Sequence, residues 1–168
     1  RDGAWREGDV LCVDGKITAI DAGLEGADET LDAHGARLVA GFIDLHTHGC
    51  AGVDVNAATA DDLDKICRFE ATQGVTSFHT SVLTDTEDQT LWCIRQITTA
   101  MKTHPQIMGI HLEGPFLSAE YKGAMPEYLL QKGSPELLER YFRASEGAVR
   151  YLTVSPEIES VEPLIRKA

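Results

Sequence analysis

The sequence predicts an α/β fold with parallel strands, because strand-like and helix-like segments alternate from residue 41 onward. Short β-branched and aromatic runs alternate with amphipathic stretches of helical spacing, and Gly or Pro marks many of the junctions. Strands that alternate strictly with helices run parallel and are joined by crossovers. A (β/α)8 barrel and an open doubly wound sheet both satisfy this pattern. No GxGxxG or P-loop motif follows a strand, which weakens a nucleotide-binding version.

Residues 1–40 differ in composition from the rest of the chain, since they are rich in Gly and Asp and have only short apolar stretches. The pair Asp14-Gly15 lies between two such stretches and predicts a β-hairpin. Two or three hairpin strands are not stable alone in water, so we expect this region to pack on another part of the protein or to be completed by further chain. The predicted strands cover residues 10–13, 16–20, 29–33 and 37–39.

Four strand–helix units are predicted over residues 41–168. Thr59 is suited to cap the first helix, and Gly74 is suited to end it. Pro105 marks the end of the second helix, while Ser134 and Pro135 give the third a capping residue and a proline at its first position. The predicted strands cover residues 42–46, 75–82, 107–112 and 150–154. The predicted helices cover residues 59–73 and 87–103, a segment that begins at 134, and residues 161–167.

The composition of the chain indicates which binding partners and which cell compartment to expect. The net charge of −12 argues against nucleic acid, because phosphate contacts need clustered Lys and Arg, although a small phosphorylated substrate needs only a few local donors. No apolar run approaches 18 residues, so no membrane span is predicted. Four widely spaced cysteines without a CxxC motif favour a reducing cytoplasm. The N-terminus lacks an apolar signal region and a Met, so we expect the natural start to lie upstream.

The first predicted strand of the α/β region ends in a pair of histidines, His46 and His48. Side chains alternate along a strand, so these two residues and Asp44 share one face. Two imidazoles on one face can bind one divalent ion. Asp44 could orient the two imidazoles without binding the ion itself. The alternative is a pair of hydrogen-bonded histidines without a metal.

The third predicted strand leads into Glu113, which shares a face with His111. A carboxylate at a strand end is a suitable ligand for a divalent cation. Because functional sites of parallel α/β proteins lie at the carboxyl ends of the strands, we expect Glu113 to lie near the histidine pair. The alternative is a solvated carboxylate or an ion pair with Lys122. We expect His111 to be hydrogen-bonded rather than a metal ligand.

Together these motifs resemble the N-acetylglucosamine-6-phosphate deacetylases of the amidohydrolase superfamily. The most specific part is the His-Leu-Glu-Gly-Pro-Phe segment that contains Glu113. The resemblance implies that residues 41–168 form the first half of a (β/α)8 TIM-like barrel, the first four βα units of a metal-dependent hydrolase. It implies that residues 1–40 are part of a small flanking β-sandwich. The segments that carry the resemblance in the barrel region are residues 39–49, 74–78, 109–116, 122–124 and 153–157.

The resemblance also implies an activity and a site. Such an enzyme hydrolyses a linear amide C–N bond and removes acetate from N-acetylglucosamine 6-phosphate, giving glucosamine 6-phosphate in amino-sugar metabolism. Glu113 matches a ligand of a divalent metal, with Zn expected and Fe, Mn or Co as alternatives. His46 and His48 match ligands of a second metal in members that keep both, and Ala124 matches a contact to the sugar substrate. The family is commonly dimeric, so a homodimer is expected when the protein is complete.

Several family features are missing from the sequence or differ in it. Two further histidine ligands, a phosphate-binding Arg and a catalytic Asp come from later strands in the family, so no catalytic residue is matched here and we expect the chain alone to be inactive. Met125 stands where members usually carry His, and His79 stands where an apolar residue is common.

Two alternatives remain open. One is another amidohydrolase that acts on a cyclic amide or an aminopurine, although many of those place a modified lysine where Glu113 stands. The other is a non-catalytic half barrel that binds metal weakly or only forms an oligomer.

Overall fold

The computed structural model describes residues 3–168 and divides the chain into two compact units, one ending at Val39 and one running from Ala40 to Ala168. The first unit contains the predicted hairpin, in which β1 (Asp9–Val13) pairs antiparallel with β2 (Lys16–Asp21). The turn residues Asp14 and Gly15 have φ values of 51° and 71°. Two successive positive φ angles are typical of the type I′ turn that an Asp-Gly pair favours. The hairpin prediction is therefore confirmed.

The two further strands predicted in the first unit are not formed, so that prediction was wrong. Residues 29–33 and 37–39 have an irregular or turning backbone, and neither segment joins a sheet within residues 3–168. Their apolar side chains stay in solvent, with Leu31 94% exposed. A strand is stable only where its N–H and C=O groups pair with a neighbour, and a short apolar run does not supply one. The placement of residues 1–40 in a β-sandwich stays a prediction.

The second unit contains a four-stranded parallel sheet in the order β3-β4-β5-β6. Each strand pairs with the next strand along the chain, without the reversal of order that marks the switch point of a doubly wound sheet. This sequential order is that of consecutive βα units in a (β/α)8 barrel. The strands are β3 (Phe42–Thr47), β4 (Val75–Leu83), β5 (Ile107–Glu113) and β6 (Val149–Thr153).

The helices begin where local sequence signals predicted. Thr59 caps the first helix, since its side chain accepts a hydrogen bond from the backbone of Asp62 and the Asp62 side chain accepts one in return. Ser134 caps the third helix through the backbone of Leu137. Within residues 3–168, no helix combines the length and apolar character needed to cross a bilayer. The helices are α1 (Ala60–Thr72), α2 (Glu87–Met101), α3 (Pro135–Ala144) and α4 (Val161–Lys167), with a 3₁₀ turn at Glu127–Leu129.

The two faces of the sheet differ in chemistry, and this difference positions the site. One face carries buried apolar side chains that join the helices in a single core, while alternate residues point to the opposite face and are largely polar. The polar face includes His79 in the middle of β4. Nearer the carboxyl ends of the strands, it includes His46, His48, His111 and Glu113. The strand residues of the core are Phe78, Val82, Ile107, Ile110 and Leu112, and its helix residues include Leu63, Ile66, Cys93, Ile94, Ile97, Leu138, Tyr141 and Leu164.

Candidate metal centre

Three polar side chains predicted from the sequence converge at the carboxyl ends of β3 and β5. The Nε2 atoms of His46 and His48 lie 3.0 Å apart. The Oε2 atom of Glu113 lies 2.8 Å from Nε2 of His48 and 3.7 Å from Nε2 of His46. Three possible ligand atoms, contributed by two strand ends that are not adjacent in the sheet, therefore surround one position.

A backbone contact fixes the orientation of the His48 ring. Its Nδ1 lies 3.0 Å from the carbonyl oxygen of Ser81 in β4. A carbonyl oxygen can only accept a hydrogen bond, so Nδ1 carries the proton. In the neutral ring this leaves a lone pair on Nε2, the atom that faces His46 and Glu113. A donated bond from the remote nitrogen to a backbone carbonyl is the usual arrangement of a metal-binding histidine.

The carboxylate of Glu113 has an oxygen without a hydrogen bond. Oε2 is buried and has no hydrogen-bond partner among the described residues, although Nε2 of His48 is only 2.8 Å away. With the proton on Nδ1 of His48, this approach brings two lone pairs together. Such an approach is unfavourable unless a proton or a cation lies between the two atoms.

The spacing of these atoms fits a divalent cation. A tetrahedral ion with bonds of about 2.0–2.1 Å holds its ligand atoms roughly 3.4 Å apart. The three observed separations, 2.8, 3.0 and 3.7 Å, fall on both sides of that value. Two imidazole nitrogens and one carboxylate oxygen also form a donor set that suits Zn, Fe, Mn or Co. The residues present can therefore hold such an ion.

His111 lies behind this cluster and is held by hydrogen bonds, as predicted. Its Nδ1 is 2.9 Å from Oγ of Ser81, and its Nε2 is 2.8 Å from Oγ1 of Thr153. The ring is 1% exposed and stacks on Tyr151. Burial lowers the pKa of His111 to about 4, and the neighbouring histidines contribute to the same shift. With both nitrogens bonded, the ring supports the site without offering a ligand atom.

Two contacts differ from the sequence-based alternatives. Asp44 forms a hydrogen bond to the main chain and not to an imidazole of the pair. Its Oδ1 accepts from the backbone N–H of His46 at 2.9 Å, which fixes the main chain at the end of β3. Lys122 does not pair with Glu113, since its Nζ donates to the carbonyl oxygen of Met125 at 2.9 Å.

Of the remaining residues singled out from the sequence, Ala124 and Met125 lie in the segment after β5, and His79 lies in β4. Ala124 is exposed in a turn, while the neighbouring Met125 is buried. His79, which stands where an apolar residue is common in the family, is buried on the polar face, with its ring edge against Tyr151. Its Nδ1 has no hydrogen-bond partner in the described part of the chain. Burial lowers the pKa of His79, and the positive charge of Arg150 lowers it further.

Sequence reasoning missed three residues that support the cluster. Ser81 and Thr153 lie near the ends of β4 and β6, and the strand-end rule that selected Glu113 could have selected them too. Asn56 lies in the loop between β3 and α1, and its side chain bonds to the main chain of Leu83. No local pattern marks Asn56, because its partner is distant in sequence.

Comparisons with known proteins place the chain among hydrolases. The sequence model of the amidohydrolase family matches residues 37–166. The N-acetylglucosamine-6-phosphate deacetylase of Vibrio furnissii is 32% identical over 162 residues, which is 91% of this chain and 40% of that protein. The N-acetylgalactosamine-6-phosphate deacetylase of Escherichia coli O157:H7 is 33% identical over 128 residues, which is 74% of this chain and 34% of that protein.

A solved structure shows the same architecture. It is a variant of the N-acetyl-D-glucosamine-6-phosphate deacetylase of Mycobacterium smegmatis in complex with N-acetyl-D-glucosamine-6-phosphate. It matches with a TM-score of 0.80 and 30% identity, over 90% of this chain and 40% of that one. The chain thus spans about 40% of the length of the Vibrio and Mycobacterium proteins. Since the family model covers most of the sequence, this chain belongs to the amidohydrolase family.

Proposed function

We propose that this chain contributes the metal centre of a deacetylase that acts on an N-acetylated hexosamine 6-phosphate. The observation that carries the proposal is the convergence of His46, His48 and Glu113 at the strand ends. The expected substrate is N-acetylglucosamine 6-phosphate, which would give glucosamine 6-phosphate and acetate. The names of the relatives support this substrate class, since those described above are deacetylases of such sugar phosphates.

We infer that the three side chains hold a divalent cation, with Zn expected and Fe, Mn or Co as alternatives. When bound, such an ion polarises the amide carbonyl and activates water as a nucleophile. The residues of this chain orient the site: the Ser81 carbonyl keeps the His48 lone pair on Nε2, and the bonds to His111 keep that ring out of the ligand set.

The turn after β5 is proposed to face the substrate. Ala124 is small and exposed, which suits a close contact with a sugar ring. Met125 is buried, so it supplies packing and not the polar contact that a histidine would offer. We also propose a cytoplasmic location, which the widely spaced cysteines favour, and a homodimer of the whole protein, which is common in the family that the sequence resembles.

The metal site is tested by measuring bound zinc in the purified chain after dialysis against Zn²⁺. We expect the native chain to retain zinc and the Glu113→Gln variant to lose most of it, because the amide removes the anionic ligand while nearly preserving size. Glu120→Gln is a matched control, since Glu120 is an exposed carboxylate in the loop after β5. Equal zinc content in the native chain and Glu113→Gln would remove Glu113 from the site.

The activity is tested in the whole protein by measuring acetate release. N-acetylglucosamine 6-phosphate and N-acetylgalactosamine 6-phosphate are compared directly, because relatives named for each substrate match this chain at 32% and 33% identity. We expect release from the glucosamine derivative to be faster, and we expect Glu113→Gln to abolish it while Glu120→Gln does not. Hydrolysis of a cyclic amide without acetate release from either sugar would contradict the proposed substrate class.

A further inference from the structure

We propose that Asn56 is a positioning residue that sets the separation between His48 and Glu113. This inference rests on the proposed function, because it assumes that these two side chains bind the same cation. Asn56 lies in the loop that joins β3 to α1 and does not itself contact the ligand atoms. It acts through the main chain on either side of the site.

The side chain of Asn56 forms a two-way bridge to the end of β4. Its Oδ1 accepts a hydrogen bond from the backbone N–H of Leu83 at 2.8 Å, and its Nδ2 donates to the backbone carbonyl of Leu83 at 3.2 Å. A primary amide that pairs with both main-chain groups of one residue reproduces the bonding of a neighbouring strand. The loop is thereby held at the edge of the sheet where the site lies.

On the sheet side of this bridge, the end of β4 at Leu83 is connected to Glu113 by contacts between β4 and β5. Leu83 is the register partner of Glu113 in the parallel pairing of β4 with β5. The next residue, Thr84, donates its hydroxyl hydrogen to the carbonyl oxygen of Glu113 at 2.8 Å. The end of β4, to which the Asn56 side chain is hydrogen-bonded, is therefore also hydrogen-bonded to the backbone of Glu113, the carboxylate ligand.

On the loop side, Asn56 is connected to His48 through a backbone hydrogen bond of its chain neighbour. Its chain neighbour Val55 donates its backbone N–H to the carbonyl oxygen of His48 at 2.9 Å, and the Val55 side chain is buried in the core. The loop between the two residues is thus closed on itself. A displacement of Asn56 from Leu83 would move the backbone that carries the His48 ring relative to the backbone that carries Glu113.

Helix α2 holds the same residue from outside the loop. The backbone carbonyl of Asn56 accepts from Nε2 of Gln89 at 2.7 Å and from Sγ of Cys93 at 3.3 Å. These contacts remain when the Asn56 side chain is changed. A variant that loses only the amide bridge should therefore keep the loop attached to the protein and loosen its register against Leu83.

The bridge is tested with Asn56→Asp, in which the carboxylate keeps an acceptor for the Leu83 N–H but places an oxygen against the Leu83 carbonyl. The matched control is Gln96→Glu, which introduces the same charge at another partly buried amide. Its Oε1 only accepts, from the backbone N–H of Ala60 at 3.0 Å, so the control keeps its bond. The added negative charge alone would strengthen cation binding in both variants.

Zn²⁺ affinity is measured by competition with a chelator, and the geometry of the site by the visible absorption of bound Co²⁺. Loss of an outer contact to a metal site typically weakens metal affinity by about 10- to 100-fold. We expect a loss of that size and an altered Co²⁺ spectrum in Asn56→Asp, with neither change in Gln96→Glu. Circular dichroism checks that each variant is folded, and Asn56→Ser replaces Asn56→Asp if the latter does not fold.

The outcomes separate this inference from the proposed function. If the native chain binds Zn²⁺, Glu113→Gln abolishes binding, and Asn56→Asp binds as tightly as the native chain with the same Co²⁺ spectrum, Asn56 does not position the site. An equal loss of affinity in Gln96→Glu would also overturn the inference. If the native chain and Glu113→Gln bind Zn²⁺ equally, the proposed metal site itself fails.

Discussion

The carbonyl oxygen of Ser81 lies 3.0 Å from Nδ1 of His48, and this contact determines which ring nitrogen faces Glu113. Because the carbonyl requires a donor, the neutral imidazole presents an unprotonated Nε2 to the carboxylate oxygen 2.8 Å away. The main chain of β4 thereby orients the ring at the end of β3 so that its lone pair faces the carboxylate from β5, as the proposed cation site requires. The arrangement of these side chains depends on three strands, although only β3 and β5 contribute candidate ligands.

The first prediction concerns the protonation of His48. In metal-free protein at pH 8 we expect the neutral ring to carry its proton on Nδ1, since only that nitrogen faces the Ser81 carbonyl. Two-bond ¹H–¹⁵N correlation spectra of the imidazoles distinguish the two tautomers. His104 serves as the reference ring, since its Nε2, and not its Nδ1, faces a carboxylate, Oδ1 of Asp64 at 3.9 Å. A dominant Nε2–H form of His48 would contradict the orientation described here.

The second prediction concerns His79 and acid stability. Burial lowers the pKa of His79, with a further contribution from Arg150, and its other neighbours are Tyr151 and His111. The unfolded chain therefore binds more protons than the folded chain below the ordinary histidine pKa of about 6.5. Stability is full above that pH and declines as the pH falls toward the lowered folded value.

We therefore expect His79→Gln to flatten the decline in unfolding free energy between pH 7 and pH 5. Urea unfolding at several pH values measures this slope. The slope should not vanish, because burial also lowers the pKa of His111. His34→Gln, a change at an exposed ring, should leave the slope as it is. An unchanged slope in His79→Gln would show that His79 titrates normally in the folded protein.

The third prediction concerns the glycine that follows Glu113. Gly114 has a φ of 89°, and an added Cβ would collide with Oγ1 of Thr84, which donates to the Glu113 carbonyl. Gly123 also has a positive φ, 60°, but a Cβ there would meet open space. Alanine at either position should cost about 1–2 kcal/mol of backbone strain.

We expect Gly114→Ala to cost roughly 1 kcal/mol more than Gly123→Ala, because it also disrupts the Thr84 hydrogen bond. Urea unfolding gives both free energies, and zinc content shows whether the site is disturbed. Equal destabilisation by the two variants would mean that Thr84 moves aside without consequence.

The fourth prediction concerns the cysteines, which differ in access. Cys12 is exposed in the hairpin, whereas Cys67 and Cys93 are buried. Burial raises the pKa of both buried thiols to about 11, and it raises that of the partly buried Cys50 to about 11 as well. Since the thiolate is the reactive form, Ellman's reagent at neutral pH should react rapidly only with Cys12.

The fast phase should therefore amount to one thiol per folded chain and disappear in Cys12→Ser. Cys93→Ser is the matched control, since it should leave the fast phase intact and reduce only the total measured after unfolding. A fast phase that persists in Cys12→Ser would indicate that the core opens on the timescale of the reaction.

Much of the second unit follows from local sequence patterns. The alternation of strands and helices, the caps at Thr59 and Ser134, and the Asp-Gly hairpin turn all depend on interactions within a few residues. The same holds for the shared face of His46 and His48, because side chains alternate along any strand. These features could be predicted because the physics that produces them is short-range.

Other features depend on which segments meet in space. The strands predicted at 29–33 and 37–39 do not form, since pairing needs a partner that a short apolar run does not specify. The sequential strand order, which distinguishes a barrel from a doubly wound sheet, is a property of the assembled sheet.

The sequence by itself determined which side chains are proposed to bind the metal: the histidine pair and Glu113, each placed by alternation at a strand end. Only the tertiary structure decided how they are held. Ser81 selects the tautomer of His48, and Asn56 ties the His48 loop to Leu83. Both contacts join residues about 30 positions apart, and a hydrogen bond between a side chain or ring and a distant backbone leaves no periodic trace in the sequence.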